Sequence, residues 1–193
     1  MNSAHITFTF YGYWHMGTGS GMGPALDAAV AKSDAGLPVI PGKTVKGLLR
    51  EAVMLAEECG QIAAGMTVRL FGSQTNLEDR FSSEPGILSF TDATLGTAME
   101  SWAKTEEGKG LAADFYSQIA STAIDSNGLA DEKTLRVSEV TIPLTLTSTV
   151  STDAAHTSWL PILQTSAPLL REIGSHRHRG LGRVSISVRE VQS

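Results

Sequence analysis

The strongest structural signal in the sequence is PVIPGKTVKGLLREAVMLAEECG, residues 38–60. Its apolar side chains recur at spacings of three and four, which places them on one side of a helix as a stripe that can pack against a sheet. Pro41 followed by Gly42 favours a helix start, and Gly60 favours its end. The stripe comprises Val45, Leu48, Leu49, Ala52, Val53 and Ala56.

Segments with strand character lie on both sides of this helix. Residues 5–14 alternate, with Ile6, Phe8 and Phe10 on one face, which predicts a strand with one buried face. Three later segments are also predicted to contain strands: 86–93, 134–150 and 183–191. Two further helices are predicted, at residues 111–124 and 159–174.

The order of these elements is strand, helix, strand, insertion, strand, helix, strand. It predicts an α+β fold of the ferredoxin-like (RRM-like) plan, in which an antiparallel sheet carries two helices on one face. The chain has 193 residues, enough to bury one core, so we expect residues 1–193 to form a single domain.

The composition of the chain restricts its expected cellular compartment and its possible binding partners. No apolar run is long enough to span a membrane, so no membrane partner is expected. The one cysteine, Cys59, falls in the helical pattern and is predicted to be a small buried hydrophobe. Because one cysteine cannot form an internal disulfide, a cytoplasmic location is expected. The formal net charge of −5 argues weakly against nucleic acid, but binding depends on local charge.

Three cations share one face of the first helix's opening turns. Lys43, Lys46 and Arg50 are spaced by three and four residues, and positive charge there opposes the helix macrodipole. The cost is only about 0.3–1 kcal/mol for each exposed charge, so a solvated face is one interpretation. The other is an anion site, most simply for phosphate, formed with the free backbone N–H groups of the helix start.

A second basic feature is GSHRHRGLGRV, residues 174–184. A helix cap and a turn would explain its glycines. They do not explain why three arginines stand within seven positions, a pattern that suits phosphodiester binding. The arginines are Arg177, Arg179 and Arg183. The other glycine clusters fit neither a dinucleotide fingerprint nor a P-loop, because the required glycine spacing is missing.

Together these segments resemble the RAMP superfamily of CRISPR–Cas proteins. Five motifs occur in the family's order, and the resemblance covers nearly the whole chain. They are HMGTGSG (15–21), LPVIPGKTVKGLLREA (37–52), LFGS (70–73) with GILSFTDA (86–93), LRVSEV (135–140) and GSHRHRGLGRV. Within the superfamily, the sequence is similar to the Csm- and Cmr-type backbone subunits of type III effector complexes.

The resemblance implies a backbone subunit that binds the guide RNA in several copies. It implies four partners: the guide RNA, complementary target RNA, other Cas effector subunits and further copies of the chain. A β-hairpin thumb, here at about residues 124–140, would kink the guide–target duplex. The residues that match the family's RNA-binding segments are Lys43, Thr44, Lys46 and Arg50 on the helix, and Gly174, Ser175, Arg177, Arg179, Gly180 and Gly182 in the C-terminal glycine-rich loop.

The resemblance also implies metal-dependent cleavage of target RNA at a loop aspartate. Asp27, eleven residues before Pro38, stands near the family's spacing, and Asp34 is the competing candidate. A lone carboxylate is a poor general base near neutral pH, so Asp27 would instead help to hold a divalent ion, Mg²⁺ or Mn²⁺. The structural alternative is that Asp27 caps a short helix.

Three other functions remain open at this point. The chain could be a non-catalytic RAMP subunit of the same complex. It could be a metal-independent endoribonuclease that processes the guide and uses His15, His176 or His178 as acid or base. Its loops could also serve protein–protein assembly alone, which would make binding far less sensitive to salt than a phosphate interface.

Overall fold

The computed structural model describes residues 2–17, 29–73, 84–123, 128–129, 134–153 and 158–191. Within them the chain is a mixed α/β protein with two antiparallel sheets. The strands are β1 (Asn2–Phe10), β2 (Ser89–Phe90), β3 (Tyr116–Ser121), β4 (Arg136–Thr141), β5 (Thr145–Thr152) and β6 (Val184–Glu190). The helices are α1 (Gly42–Glu58), α2 (Met66–Phe71), α3 (Thr97–Ala103), α4 (Glu106–Leu111) and α5 (Trp159–Ser166).

The larger sheet has the strand order β2-β5-β1-β6, and each neighbouring pair is antiparallel. In the central strand β1, alternate residues point into the core, and Ile6 and Phe8 are fully buried. The opposite face carries hydroxyl side chains, because Thr7 lies between Thr147 of β5 and Ser187 of β6. The alternation predicted for residues 5–14 is thus confirmed over most of its length.

Helix α1 packs on this sheet through the predicted apolar stripe, all of which is buried. At its start, the backbone N–H of Gly42 donates to a carboxylate oxygen of Asp92 at 2.6 Å. A Cβ atom at Gly42 would lie 2.8 Å from the carbonyl oxygen of Phe90. Glycine is therefore required at position 42, because the helix start closely approaches the backbone at the end of β2.

The smaller sheet is the hairpin of β3 and β4, in which Gln118 faces Glu139. The prediction of a helix at residues 111–124 is wrong, because α4 ends at Leu111 and residues 116–121 form β3. Pairing with β4 overrides the local helix preference of this segment. Of the predicted thumb at residues 124–140, the last residues form β4, and 124–127 and 130–133 lie outside the described residues.

Two other sequence predictions need correction. Cys59 is exposed, because it follows the last residue of α1 and so leaves the buried stripe. The helix predicted over residues 159–174 ends at Ser166 and continues only as a short 3-10 turn, Ala167–Leu169, which contains Pro168. In the described part of the chain, no helix is both long and apolar enough to cross a membrane.

Helix α2 is held by a carboxylate from the end of α1. Glu57 accepts hydrogen bonds from the backbone N–H groups of Gly65 and Thr67 and from the hydroxyl of Thr67 at 2.6 Å. The Thr67 hydroxyl and these N–H groups lower the pKa of Glu57 below its usual value. The ionised carboxylate therefore joins α1 to the start of α2.

We expect Glu57 to make folding sensitive to acid. Its pKa is lower in the folded chain than in the unfolded chain, so its contribution to stability is present above the unfolded pKa and is lost as the pH falls through the folded one. In urea unfolding, Glu57→Gln should have a lower free energy of unfolding than the wild type at neutral pH. The difference between the two proteins should decrease below about pH 4. A gap that stays constant down to pH 2 would contradict this role.

Candidate nucleic-acid interface

The glycine–arginine loop, residues 174–183, connects α5 and its 3-10 extension to β6. Its backbone has positive φ at three glycines and at His176, where φ is 60°. Arg177–Arg179 form a 3-10 turn between these points. Gly174 and Gly182 are required sterically as well, because a Cβ atom would collide with the carbonyl oxygen of His15 or of Ile173. The loop is therefore closely packed at its two ends, whereas residues 178–180 between them are exposed.

This loop packs against the segment that follows β1. The N–H of Ser175 donates to the carbonyl oxygen of His15 at 2.9 Å, and the N–H of Gly182 donates to that of Tyr13 at 2.8 Å. On the other side of the same segment, Trp14 and Thr141 exchange backbone hydrogen bonds of 3.1 and 2.8 Å. The segment after β1 therefore joins the loop to the end of the β3–β4 hairpin.

His15 lies at the centre of this junction and is only 2% exposed. Its Nδ1 lies 2.6 Å from the carbonyl oxygen of Glu139, and a carbonyl can only accept, so Nδ1 carries a proton and donates it. The His15 ring stands edge-on to that of His176, with the ring centroids 6.5 Å apart. These contacts favour a structural role for His15, as a link between β4 and the loop.

Glu139 fastens the other side of the hairpin. Its carboxylate pairs with Lys32 Nζ at 2.8 Å and accepts from the N–H of Val30 at 3.2 Å. The Lys32 ammonium also lies 4.1 Å from the centre of the Tyr116 ring. Burial first, and then the negative charge of Glu139, raise the pKa of Tyr116, whose hydroxyl donates to the carbonyl of Gly36 at 2.7 Å. The hairpin is therefore attached to residues 30–36 as well as to the segment after β1.

Between the hairpin and the loop lies a cleft of about 440 Å³. Among the described residues that line it, all but Ala123 are basic or carry a hydroxyl group, and none is acidic: Ser121, Thr122, Ala123, Thr134, Arg136, Ser138, His176 and Arg179. An adjoining hollow has an apolar lining that includes Ile119, Val140 and Leu181. Guanidinium groups suit phosphate, and hydroxyl groups suit ribose. We call the first of these, the cleft of about 440 Å³, the basic cleft.

The predicted RNA-binding residues divide into two groups. Of the loop residues, Arg179 lines the basic cleft, whereas Arg177 forms an ion pair of 3.3 Å with Glu51 on α1. Gly174, Ser175, Gly180 and Gly182 shape the loop itself. On α1, Lys43 is exposed, while Thr44, Lys46 and Arg50 are partly exposed. The pair between Arg177 and Glu51 is the point at which this helix and the loop are tied together.

Sequence reasoning did not single out Arg136, which lines the cleft from β4. It stands in the LRVSEV segment that the resemblance had identified, but its place opposite the loop depends on pairing with β3. Asp27, the predicted catalytic and metal-binding residue, lies outside the described residues, and Asp34 is exposed. Among the residues that the structure does describe, no cluster of three or more metal-ligating side chains occurs.

Comparisons with solved structures agree on the fold. The chain is similar to a subunit of the type III-B Cmr-beta complex bound to cognate target RNA, with a TM-score of 0.71, 12% identity and 96% of each chain covered. It is also similar to a subunit of the apo complex (TM-score 0.65, 11% identity, 99% and 98% covered). A third is oligomeric Cmr4 from Pyrococcus furiosus (TM-score 0.57, 14% identity, 100% of each chain covered).

At these identities the structural likeness shows the fold alone. No curated protein matches the sequence. The family model of the RAMP superfamily, however, matches residues 7–185, which include the end of β1, all of α1, the hairpin and the whole glycine–arginine loop. The chain therefore belongs to the RAMP superfamily.

Proposed function

We propose that this chain is a backbone subunit of a type III CRISPR RNA-guided effector complex. It binds the phosphates of the guide RNA in the basic cleft and assembles in several copies along that RNA with other Cas subunits. The observation that carries the proposal is the cleft itself, which Arg136 lines from the hairpin and Arg179 from the loop, with no acidic side chain among the described residues of the lining. Membership of the superfamily supports it.

The similar solved structures support the same proposal. One is a type III-B complex bound to cognate target RNA, another is an oligomeric Cmr4, and a third, with a TM-score of 0.60, is a type IV-B CRISPR complex. We accordingly assign the larger sheet to the ferredoxin-like plan and the β3–β4 hairpin to the base of the thumb. On this assignment the thumb begins at Tyr116, before the predicted residues 124–140.

Recognition on this proposal is of backbone and shape. The arginines and hydroxyl groups of the cleft offer partners for phosphate and ribose, whereas base pairing with the target would supply sequence specificity. The acidic remainder of the protein, with its net charge of −5, would limit contacts elsewhere on the surface.

Removing both cleft arginines should weaken RNA binding about equally for all sequences. For Arg136→Ala with Arg179→Ala, the plot of log affinity against log salt should become shallower by about 1.4, since each phosphate contact on a single strand contributes about 0.7. The measurement is a salt titration with labelled single-stranded RNA. The matched control is Arg69→Ala with Arg189→Ala, which removes two exposed arginines outside the cleft. A loss that depends on sequence, or equal slopes for both variants, would contradict the proposal.

Freeing Arg177 from Glu51 should strengthen RNA binding. The ion pair is exposed to solvent, and such pairs contribute only about 0.2–1 kcal/mol, so RNA can compete for the guanidinium. Glu51→Gln removes the competing charge and should raise affinity about two- to fivefold at low salt, an advantage that fades as salt screens it. Glu51→Gln in an Arg177→Ala background should gain less. An equal gain in both backgrounds would show that Arg177 is not the residue released.

The proposal extends to cleavage of complementary target RNA at Asp27. This carboxylate would help to hold Mg²⁺ or Mn²⁺, which supplies charge neutralisation at the scissile phosphate, and the other ligands would come from water and RNA.

With the neighbouring subunits, a guide and labelled target RNA, Asp27→Ala should abolish regularly spaced cuts and leave target binding intact. Asp34→Ala is the control that should still cut. Loss of cutting in Asp34→Ala alone would transfer the role to that residue. If the complex with the wild-type chain binds the target RNA but does not cut it, the chain is a non-catalytic subunit.

A further inference from the structure

Residues 10–14, at the end of β1 and just after it, contain two buried and two exposed aromatic rings. Phe10 and Trp14 are buried and stack on each other, with ring centroids 4.2 Å apart and planes within 10°. Between them, Tyr11 is 60% exposed and Tyr13 is 44% exposed. In the described part of the chain, no other phenylalanine, tyrosine or tryptophan is exposed to this degree.

The backbone beneath these two tyrosines is held rigidly by the same contacts that build the basic cleft. The N–H of Tyr11 donates to the carbonyl of Arg183 at 3.0 Å, and the carbonyl of Tyr13 accepts from Gly182 at 2.8 Å. Trp14 is paired with Thr141 immediately afterwards. A ring on such a fixed backbone loses little further freedom when it binds a ligand, which favours binding.

The loop that holds the two tyrosines carries cationic side chains. Phe10 pairs with Val184 in the sheet. The next residue, Tyr11, is hydrogen-bonded through its backbone to Arg183, whose side chain is exposed. His176 and Arg179 of the same loop line the basic cleft. Exposed aromatic rings beside cations are the combination that proteins use for single-stranded nucleic acid, where bases stack on rings and cations follow the phosphates.

We propose that Tyr11 and Tyr13 form a stacking platform for unpaired bases of the RNA whose phosphates bind in the basic cleft. The inference rests on the proposed function, because it assigns a base contact to the same RNA. Each tyrosine offers a flat face that accepts any base, so the platform adds affinity without sequence preference. Their exposure is then a property of the free chain, which RNA removes on binding.

The test compares ring removal with ring retention in the full-length chain. Labelled single-stranded RNA of mixed sequence is titrated with the wild type, with Tyr11→Ser plus Tyr13→Ser, and with Tyr11→Phe plus Tyr13→Phe. The serine variant should bind at least about fivefold more weakly, the lower end for loss of one stacked base, whereas the phenylalanine variant should bind like the wild type. The salt dependence should be equal in all three, since no phosphate contact is lost.

A second RNA, with abasic riboses at alternate positions, keeps every phosphate and removes half the bases. Binding of this RNA should differ less between the wild type and the serine variant. Equal affinity of both proteins for the intact RNA overturns the platform while the phosphate-binding function stands. A serine variant that binds RNA normally but no longer assembles with other copies also overturns it, in favour of a protein contact. No salt-dependent RNA binding by the wild type would overturn the proposed function itself.

Discussion

The close backbone contact between the glycine–arginine loop and the segment after β1 is the constraint on which the rest of the interface depends. Gly174 and Gly182 allow the loop to approach the carbonyls of His15 and Ile173, where a side chain would collide. His15 then reaches the backbone of Glu139 on β4. The relative positions of the loop, the sheet and the hairpin are thereby fixed without the side chains of Arg136 and Arg179, which line the cleft.

The net charge of the chain does not show how charge is distributed around the basic cleft. Two acidic groups near the interface are paired with cations: Glu139 with Lys32, and Glu51 with Arg177. Arg136 and Arg179 line the basic cleft, and the part of its lining that the structure describes holds no carboxylate. An acidic protein can therefore present a local site for a polyanion, because screening at physiological salt confines the influence of each exposed charge to about 8 Å.

The parts of the structure that the sequence predicted are those determined by local patterns. The stripe on α1 follows from spacings of three and four, and Pro41-Gly42 identifies its first residue. The loop was identified from its glycines and arginines. Residues 116–121 were assigned to a helix because nothing local indicates that Gln118 pairs with Glu139. For the same reason Arg136 was missed, since its position opposite Arg179 arises only from non-local pairing.

The position of β1 between β5 and β6 has a consequence for how the protein is made. Phe8 pairs with Leu146 on one side and with Ile186 on the other, so the central strand finds its neighbours among residues near the opposite end of the described chain. Contacts of such long sequence separation form slowly, because a long loop must be closed before they provide any stabilisation. During synthesis, Tyr13 and His15 are added well before the loop residues that donate hydrogen bonds to their carbonyl groups. The basic cleft can therefore form only after the loop residues have been added, and a nascent chain that lacks them has no complete cleft.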